Sequence, residues 1–190
     1  IAKCKANNMP NDTINSAIKR AAGAGNNESY EEVTYEGYGP NGVAIIVNAS
    51  TDNRNRTAAD VRHIFDKFGG NLGTTGCVSY MFEKKGVIVI EKESTNLSED
   101  DLMLIALDNG ADNLESEEDY YEITCAPAEF SHLRESLENE GLTFVEADVQ
   151  LVPNTYVKLD ENGQRKMELI IEKLDELDDV IEIFHNWDEE

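Results

Sequence analysis

Between Tyr35 and Phe82 the chain runs YEGYGPNGVAIIVNASTDNRNRTAADVRHIFDKFGGNLGTTGCVSYMF, and this order of signals leaves few folds open. Residues 32–38 alternate as a strand, and Gly39-Pro40-Asn41-Gly42 is a strong turn signal. Val43 to Val47 is a short apolar run of the kind found in a sheet covered on both faces. Thr51 to Thr57 is a polar turn, and Thr57 with Asp60 three residues on fits an acidic variant of the capping box. Val61, Ile64, Phe65 and Phe68 then recur at helical spacing, which predicts one buried stripe, with Arg62, His63, Asp66 and Lys67 on the wet face. Gly69-Gly70 predicts the helix stop; 77–83 reads as a strand, Lys84-Lys85-Gly86 as a tight turn, and 87–92 as the next strand. One helix cannot cover such a sheet, so this stretch needs partners from elsewhere in the chain.

The second half supplies them. Ser98 with Asp101 predicts a capped helix carrying Leu102, Ile105 and Ala106, ended by Asn109-Gly110. Strands near 112–116 and 119–125 follow, and Pro127 opens a helix carrying Phe130, Leu133 and Leu137. Residues 143–152 alternate as a strand, so with 87–92 in front the order is βαββαβ, the ferredoxin-like unit. That unit is complete. The extended polar segment 153–163, the helix 164–177 with Met167, Ile170, Ile171, Leu174 and Leu177, the turn Asp178-Asp179 and the strand 180–186 are left to complete the first sheet. Residues 10–22, with Pro10 at the first helical position and Ile14, Ala17, Ile18 and Ala21 in a stripe, predict a helix that belongs to a further, helical domain.

The expected fold is therefore α+β in three parts: an N-terminal helical remnant (1–29), a middle α/β domain (30–85 plus 160–190), and an inserted acidic ferredoxin-like domain (86–159). The chain opens at Ile1 without Met, which predicts a truncated or processed start.

Charge separates these parts. The net charge is −23, yet residues 1–90 hold 10 basic and 9 acidic side chains and residues 91–190 hold 6 and 30. The second half repels nucleic acid and acidic membranes and suits a solvated surface or a basic protein partner. The first half tolerates phosphate. Lys3, Lys5, Lys19 and Arg20 make its start basic, and Arg54, Arg56 and Arg62 gather around the helix of 57–68. These seven are the candidate nucleic-acid contacts. The competing reading is that Arg54 and Arg56 pair with neighbours such as Asp52 and Asp60 and fix the turn. Tyr30, Tyr35 and Tyr38 are candidate stacking surfaces.

Other chemistries lack their signatures. Gly69 to Gly76 follows a helix and lacks the GK[ST] ending of a phosphate loop, so it reads as a helix stop and a loop needing positive φ. His63, His132 and His185 sit at no metal-ligand spacing. Cys4, Cys77 and Cys125 are odd in number and far apart, which predicts free thiols in a reducing, cytoplasmic setting. No nucleophile motif is present. The expectation is a protein that is not an enzyme, with no cofactor and no metal.

The motifs NMPNDTINSAIKRAAG (8–23), YEGYGPNGVAIIV (35–47), TDNRNRTAADVRHIFDKFGGNLG (51–73) and GCVSYMFEKKG (76–86) together resemble the YebC/PmpR family, whose mitochondrial members are translational activators of cytochrome c oxidase subunit I. The resemblance implies the same three-part fold and a role in gene expression. Most members are described as DNA-binding transcriptional regulators, and some act in translation at the ribosome. Members begin with a strongly basic stretch that is absent here, and Asn48 and Cys77 stand where many carry Glu and Ser. The expected function is a DNA-binding transcriptional regulator in the cytoplasm, or alternatively a ribosome-associated translation factor that binds RNA. The expected partners are nucleic acid and, through the acidic domain, the ribosome or a basic protein, with no membrane contact.

Overall fold

The computed structural model describes residues 30–189, which form two four-stranded antiparallel sheets and four helices of eight residues or more, an α+β fold. The predicted helix at 10–22, with Lys3, Lys5, Cys4, Lys19 and Arg20, lies outside the described residues. The first sheet takes β1 (Glu31–Tyr38), β2 (Ala44–Thr51), the short β3 (Asn71–Leu72) and β9 (Val180–His185), in the order β3-β1-β2-β9. The helices α1 (Arg54–Lys67) and α4 (Glu161–Asp175) lie against one of its faces. The second sheet takes β4 (Phe82–Glu91), β5 (Ala111–Ser116), β6 (Tyr120–Cys125) and β7 (Glu146–Pro153), in the order β5-β6-β4-β7, with α2 (Glu99–Asp108) and α3 (Phe130–Asn139) over one face. That order is the ferredoxin-like βαββαβ arrangement. A short parallel pair, β8 (Val157–Lys158) with β10 (Trp187–Asp188), ties the connection before α4 to the end of the described chain.

Each sheet has its own core. Ile88, Ile90, Leu102, Ala106, Ile123, Leu133 and Leu137 fill one. Val43, Ile45, Val47, Val61, Phe65, Met167, Ile170 and Leu174 fill the other. β2 is covered on both sides, because Ala44 and Ile46 point away from the helices into a third cluster with Val78 and Phe82, against which Leu151 and Phe184 pack. This cluster joins the two sheets. Burial of about ten large aliphatic and aromatic side chains per core, at roughly 1.5–3 kcal/mol each, is what holds the helices on their sheets.

Several boundaries differ from the sequence expectation. The helix cap is Asn53, whose side chain accepts from the Arg56 N–H; Thr57 lies inside α1 and is buried, so the Thr57–Asp60 capping box does not form. Lys84-Lys85-Gly86 is not a turn. It is the middle of β4, with Gly86 paired to Cys125 on one side and Val149 on the other. Glycine stands there for space: a Cβ would come within 2.7 Å of both Cys125 Sγ and the Phe130 ring. Consequently β4 begins at Phe82, and Ser79–Met81 is a single 3₁₀ turn rather than strand.

Pro127 belongs to the turn before α3, which starts at Phe130. β7 starts at Glu146, and it is an edge strand whose residues after Glu146 are all half-buried rather than alternately buried and exposed. α4 starts at Glu161 and ends at Asp175, so the polar segment before it is shorter than expected; Asp160 caps it by accepting from the Gly163 N–H at 2.8 Å. The loop reading of Gly69 to Gly76 holds at its ends, where Gly69 and Gly76 have positive φ of +85° and +87°, but Asn71–Leu72 within it is β3, paired with β1.

Candidate nucleic-acid interface

α1 starts where β2 ends, and its first turn carries two of the candidate arginines. Arg54 is the first helical residue and Arg56 the third. Their surroundings differ. The Arg56 guanidinium donates to Asp52 Oδ1 at 2.8 Å and to Asp179 Oδ2 at 2.9 Å. Asp179 lies in the turn between α4 and β9, and the Thr57 and Thr51 hydroxyls donate to the same Oδ2 at 2.7 and 3.1 Å. The Ser50 N–H donates to the Asp179 carbonyl at 2.8 Å. The Thr57 hydroxyl, followed by Arg56 and Thr51, holds the Asp179 carboxyl below the usual aspartate range. Asp179, followed by Asp52, likewise raises the Arg56 pKa. Arg56 is thus a clamp between the start of α1 and the end of α4, which is the pairing reading with Asp179 in the place expected for Asp60.

The clamp opens onto a cleft of about 490 Å³ whose walls include Asp52, Asp60, Glu176, Asp178 and Asp179. Such a wall repels phosphate. Arg54 faces differently: its side chain is 64% exposed and only loosely paired, 3.7 Å from Glu31. The Tyr35 hydroxyl donates to its carbonyl at 3.3 Å, fixing the backbone but leaving the guanidinium in solvent. Arg62 is exposed on α1, with no carboxylate at ion-pair distance among the described residues. The structure therefore separates Arg54 and Arg62, which are open to solvent, from Arg56, which is engaged.

Of the three tyrosines, Tyr30 is 61% exposed, Tyr35 packs beside the helix-side core, and Tyr38 packs in the cluster between the sheets, where its hydroxyl donates to the Cys77 carbonyl at 3.0 Å. Among the described residues no three His, Cys, Asp or Glu side chains are grouped to hold a metal ion, and no helix is long and apolar enough to cross a membrane. Cys77 and Cys125 are free thiols.

The residue that sequence reasoning missed is Glu36. It is 4% exposed, on the strand face that carries Tyr38 and pairs with Ile46. Its carboxylate accepts from the N–H groups of Gly76 (2.7 Å), Val78 (2.9 Å) and Ser79 (2.9 Å), which closes the loop leading into β4. Burial pushes its pKa up, but the Val78, Gly76 and Ser79 donors prevail and the net direction is down. Its face of β1 also carries Glu32, Thr34 and Tyr38, so nothing in the local sequence singles out Glu36 as buried.

These features define the class: an α+β protein of two linked antiparallel units, one strongly acidic, the other with solvent-open arginines on its helix layer. The sequence profile described as "TACO1/YebC second and third domain" matches residues 30–187, and the chain belongs to that family. It is 60% identical to a protein of Acetivibrio thermocellus named "Probable transcriptional regulatory protein", over 98% of this chain and 77% of that one. A protein of the same name from Caldicellulosiruptor saccharolyticus is 58% identical over 100% of this chain and 78% of its own. Among solved structures, a conserved hypothetical protein of Aquifex aeolicus superposes with a TM-score of 0.84 at 41% identity, covering 98% of this chain and 76% of that one.

Proposed function

We propose that this protein is a non-enzymatic regulator of gene expression that binds nucleic acid, acting in the cytoplasm as a DNA-binding transcriptional regulator. The observation that carries this reading is the name shared by relatives 57–60% identical over nearly all of the chain, "Probable transcriptional regulatory protein". The charge distribution supports it. The reading takes residues 30–85 with 160–190 as one domain and 86–159 as an acidic domain inserted in it, after the remainder of a helical domain at 1–29. Lys3, Lys5, Lys19 and Arg20, with Arg54 and Arg62, supply phosphate contacts; Arg56 keeps α1 in place. In the full-length protein, Arg54→Gln with Arg62→Gln is expected to weaken binding to a DNA duplex and to lower the slope of log K against log salt by about 2, one per lost phosphate contact. Absence of any duplex binding at low salt would sink the reading.

A second reading, a ribosome-associated translation factor, is favoured by one feature of the second sheet. Glu122 pairs across the strands with Glu115 on one side and Val89 on the other, and Val89 in turn pairs with Glu146. The three carboxylates thus form one row on the face turned away from α2 and α3. Burial, then Glu115, Glu117 and Glu146, raise the Glu122 pKa. Like charges placed opposite one another destabilise a sheet, and a basic protein surface would relieve them. On this reading full-length protein is expected to co-sediment with ribosomes, and Glu122→Lys with Glu146→Lys to release it. A purely free pool in both cases would refute the second reading.

A further inference from the structure

The chain holds 16 lysines and arginines, and about half of those among the described residues stand at ion-pair distance from a carboxylate. Arg54 faces Glu31, and Arg56 faces Asp52 and Asp179. Lys85 meets Glu83, Arg134 meets Glu138, Lys158 meets Asp188, and Lys173 meets Glu172 and Glu176. Lys92 donates to the Glu117 carbonyl. The cations left without a carboxylate among the described residues are Arg62, Lys67, Lys84, Lys92, Arg165 and Lys166. All but Lys84 and Lys92 lie on α1 and α4, in a protein whose net charge is −23.

Two of them flank the turn that ends α1. Lys166 Nζ lies 3.8 Å from the position of a Cβ built on Gly69, in the turn that ends α1. Lys67 Nζ stands 5.2 Å from the centroid of the adjoining Phe68 ring. Arg165 is exposed one position before Lys166. No side chain projects from Gly69 beside the Lys166 ammonium. The acidic cleft lies at the other end of the helix pair, where α1 starts and α4 ends. Helix dipoles do not account for this arrangement. A lysine in the last turn of α1 is favoured there, but Lys166 lies past the first turn of α4, where the dipole has little effect.

Resting on the nucleic-acid reading above, we infer that the Gly69 end of the α1/α4 layer is a contact surface for the phosphodiester backbone, formed by Lys67 and Lys166 with Arg165 beside them. Lysines are compact point charges that position a phosphate without reading a base, so this surface sets affinity and salt dependence rather than sequence preference.

The test uses full-length protein and a fluorescent DNA duplex of about 30 base pairs, with anisotropy read across roughly 50–200 mM KCl, a range over which phosphate contacts dominate the change in affinity. Lys67→Gln with Lys166→Gln is expected to bind at least about tenfold more weakly at the low-salt end and to lower the salt slope by about 2. Lys67→Arg with Lys166→Arg keeps both charges and is expected to retain the slope. Lys84→Gln, which removes a cation without a carboxylate partner on the other sheet, leaves both unchanged. Wild-type binding that survives the double Gln substitution with its slope intact overturns this surface and leaves the nucleic-acid reading standing. A wild-type protein that does not bind at all overturns the reading and the surface with it.

Discussion

Replacing Glu36 by alanine is expected to destabilise the protein by about 3 kcal/mol, since three backbone N–H groups lose a charged acceptor and the buried Val78 N–H is stranded. The chain has one tryptophan, Trp187, packed in the core of the first sheet, so urea unfolding can be followed there by fluorescence and across the whole fold by circular dichroism. Glu36→Gln keeps one acceptor oxygen but turns an NH₂ toward the loop, and about 2 kcal/mol of loss is expected. The pH dependence has a definite sign. Donors hold the folded Glu36 pKa below its unfolded value, so its contribution is fully present above the unfolded carboxylate pKa and is lost as pH falls through the folded one. Wild-type stability therefore drops on the acid side by more than that of Glu36→Gln. Equal urea midpoints for wild type and Glu36→Ala would remove Glu36 from this role. Since the loop it closes runs directly into β4, the same loss should loosen the cluster of Ala44, Ile46, Val78 and Phe82 that joins the sheets.

Asp179→Ala is expected to cost about 2 kcal/mol, because the Thr51 hydroxyl, without solvent contact, loses its acceptor, the Thr57 hydroxyl falls back on Thr51 and the Asn53 carbonyl, and the Arg56 guanidinium keeps only Asp52. Asp179→Asn should cost less and remove part of the acid-side dependence, since this carboxyl is also held below its unfolded pKa, chiefly by Thr57 and Arg56. The variant separates clamp from contact. If Arg56 only fastens α1 to the turn before β9, then Arg56→Gln lowers the melting temperature while the salt slope of nucleic-acid binding stays that of wild type. A lowered slope with unchanged melting would make Arg56 a phosphate contact after all.

The sequence by itself determined what depends on local periodicity. The stripe of Val61, Ile64 and Phe65 gave α1 its buried face, Ser98 and Asp101 gave α2 its cap, and the strand–helix order of the second half gave the ferredoxin-like sheet. Such signals lie within a few residues of one another, because a helix or strand is specified by the spacing of its own side chains.

Only the tertiary structure decided the rest. Gly86 reads locally as a turn and is a strand residue, because the clash it avoids involves Cys125 and Phe130, which lie far along the chain. Glu36 meets its donor at Val78 across 42 residues, and Arg56 meets Asp179 across 123. No periodicity encodes those distances. A carboxylate becomes a structural anchor, and an arginine a clamp between α1 and the turn before β9, through the groups that packing brings to it. The same holds for Lys67 and Lys166: each reads as ordinary helix surface, and they become one charged surface because two helices remote in sequence cover the same sheet.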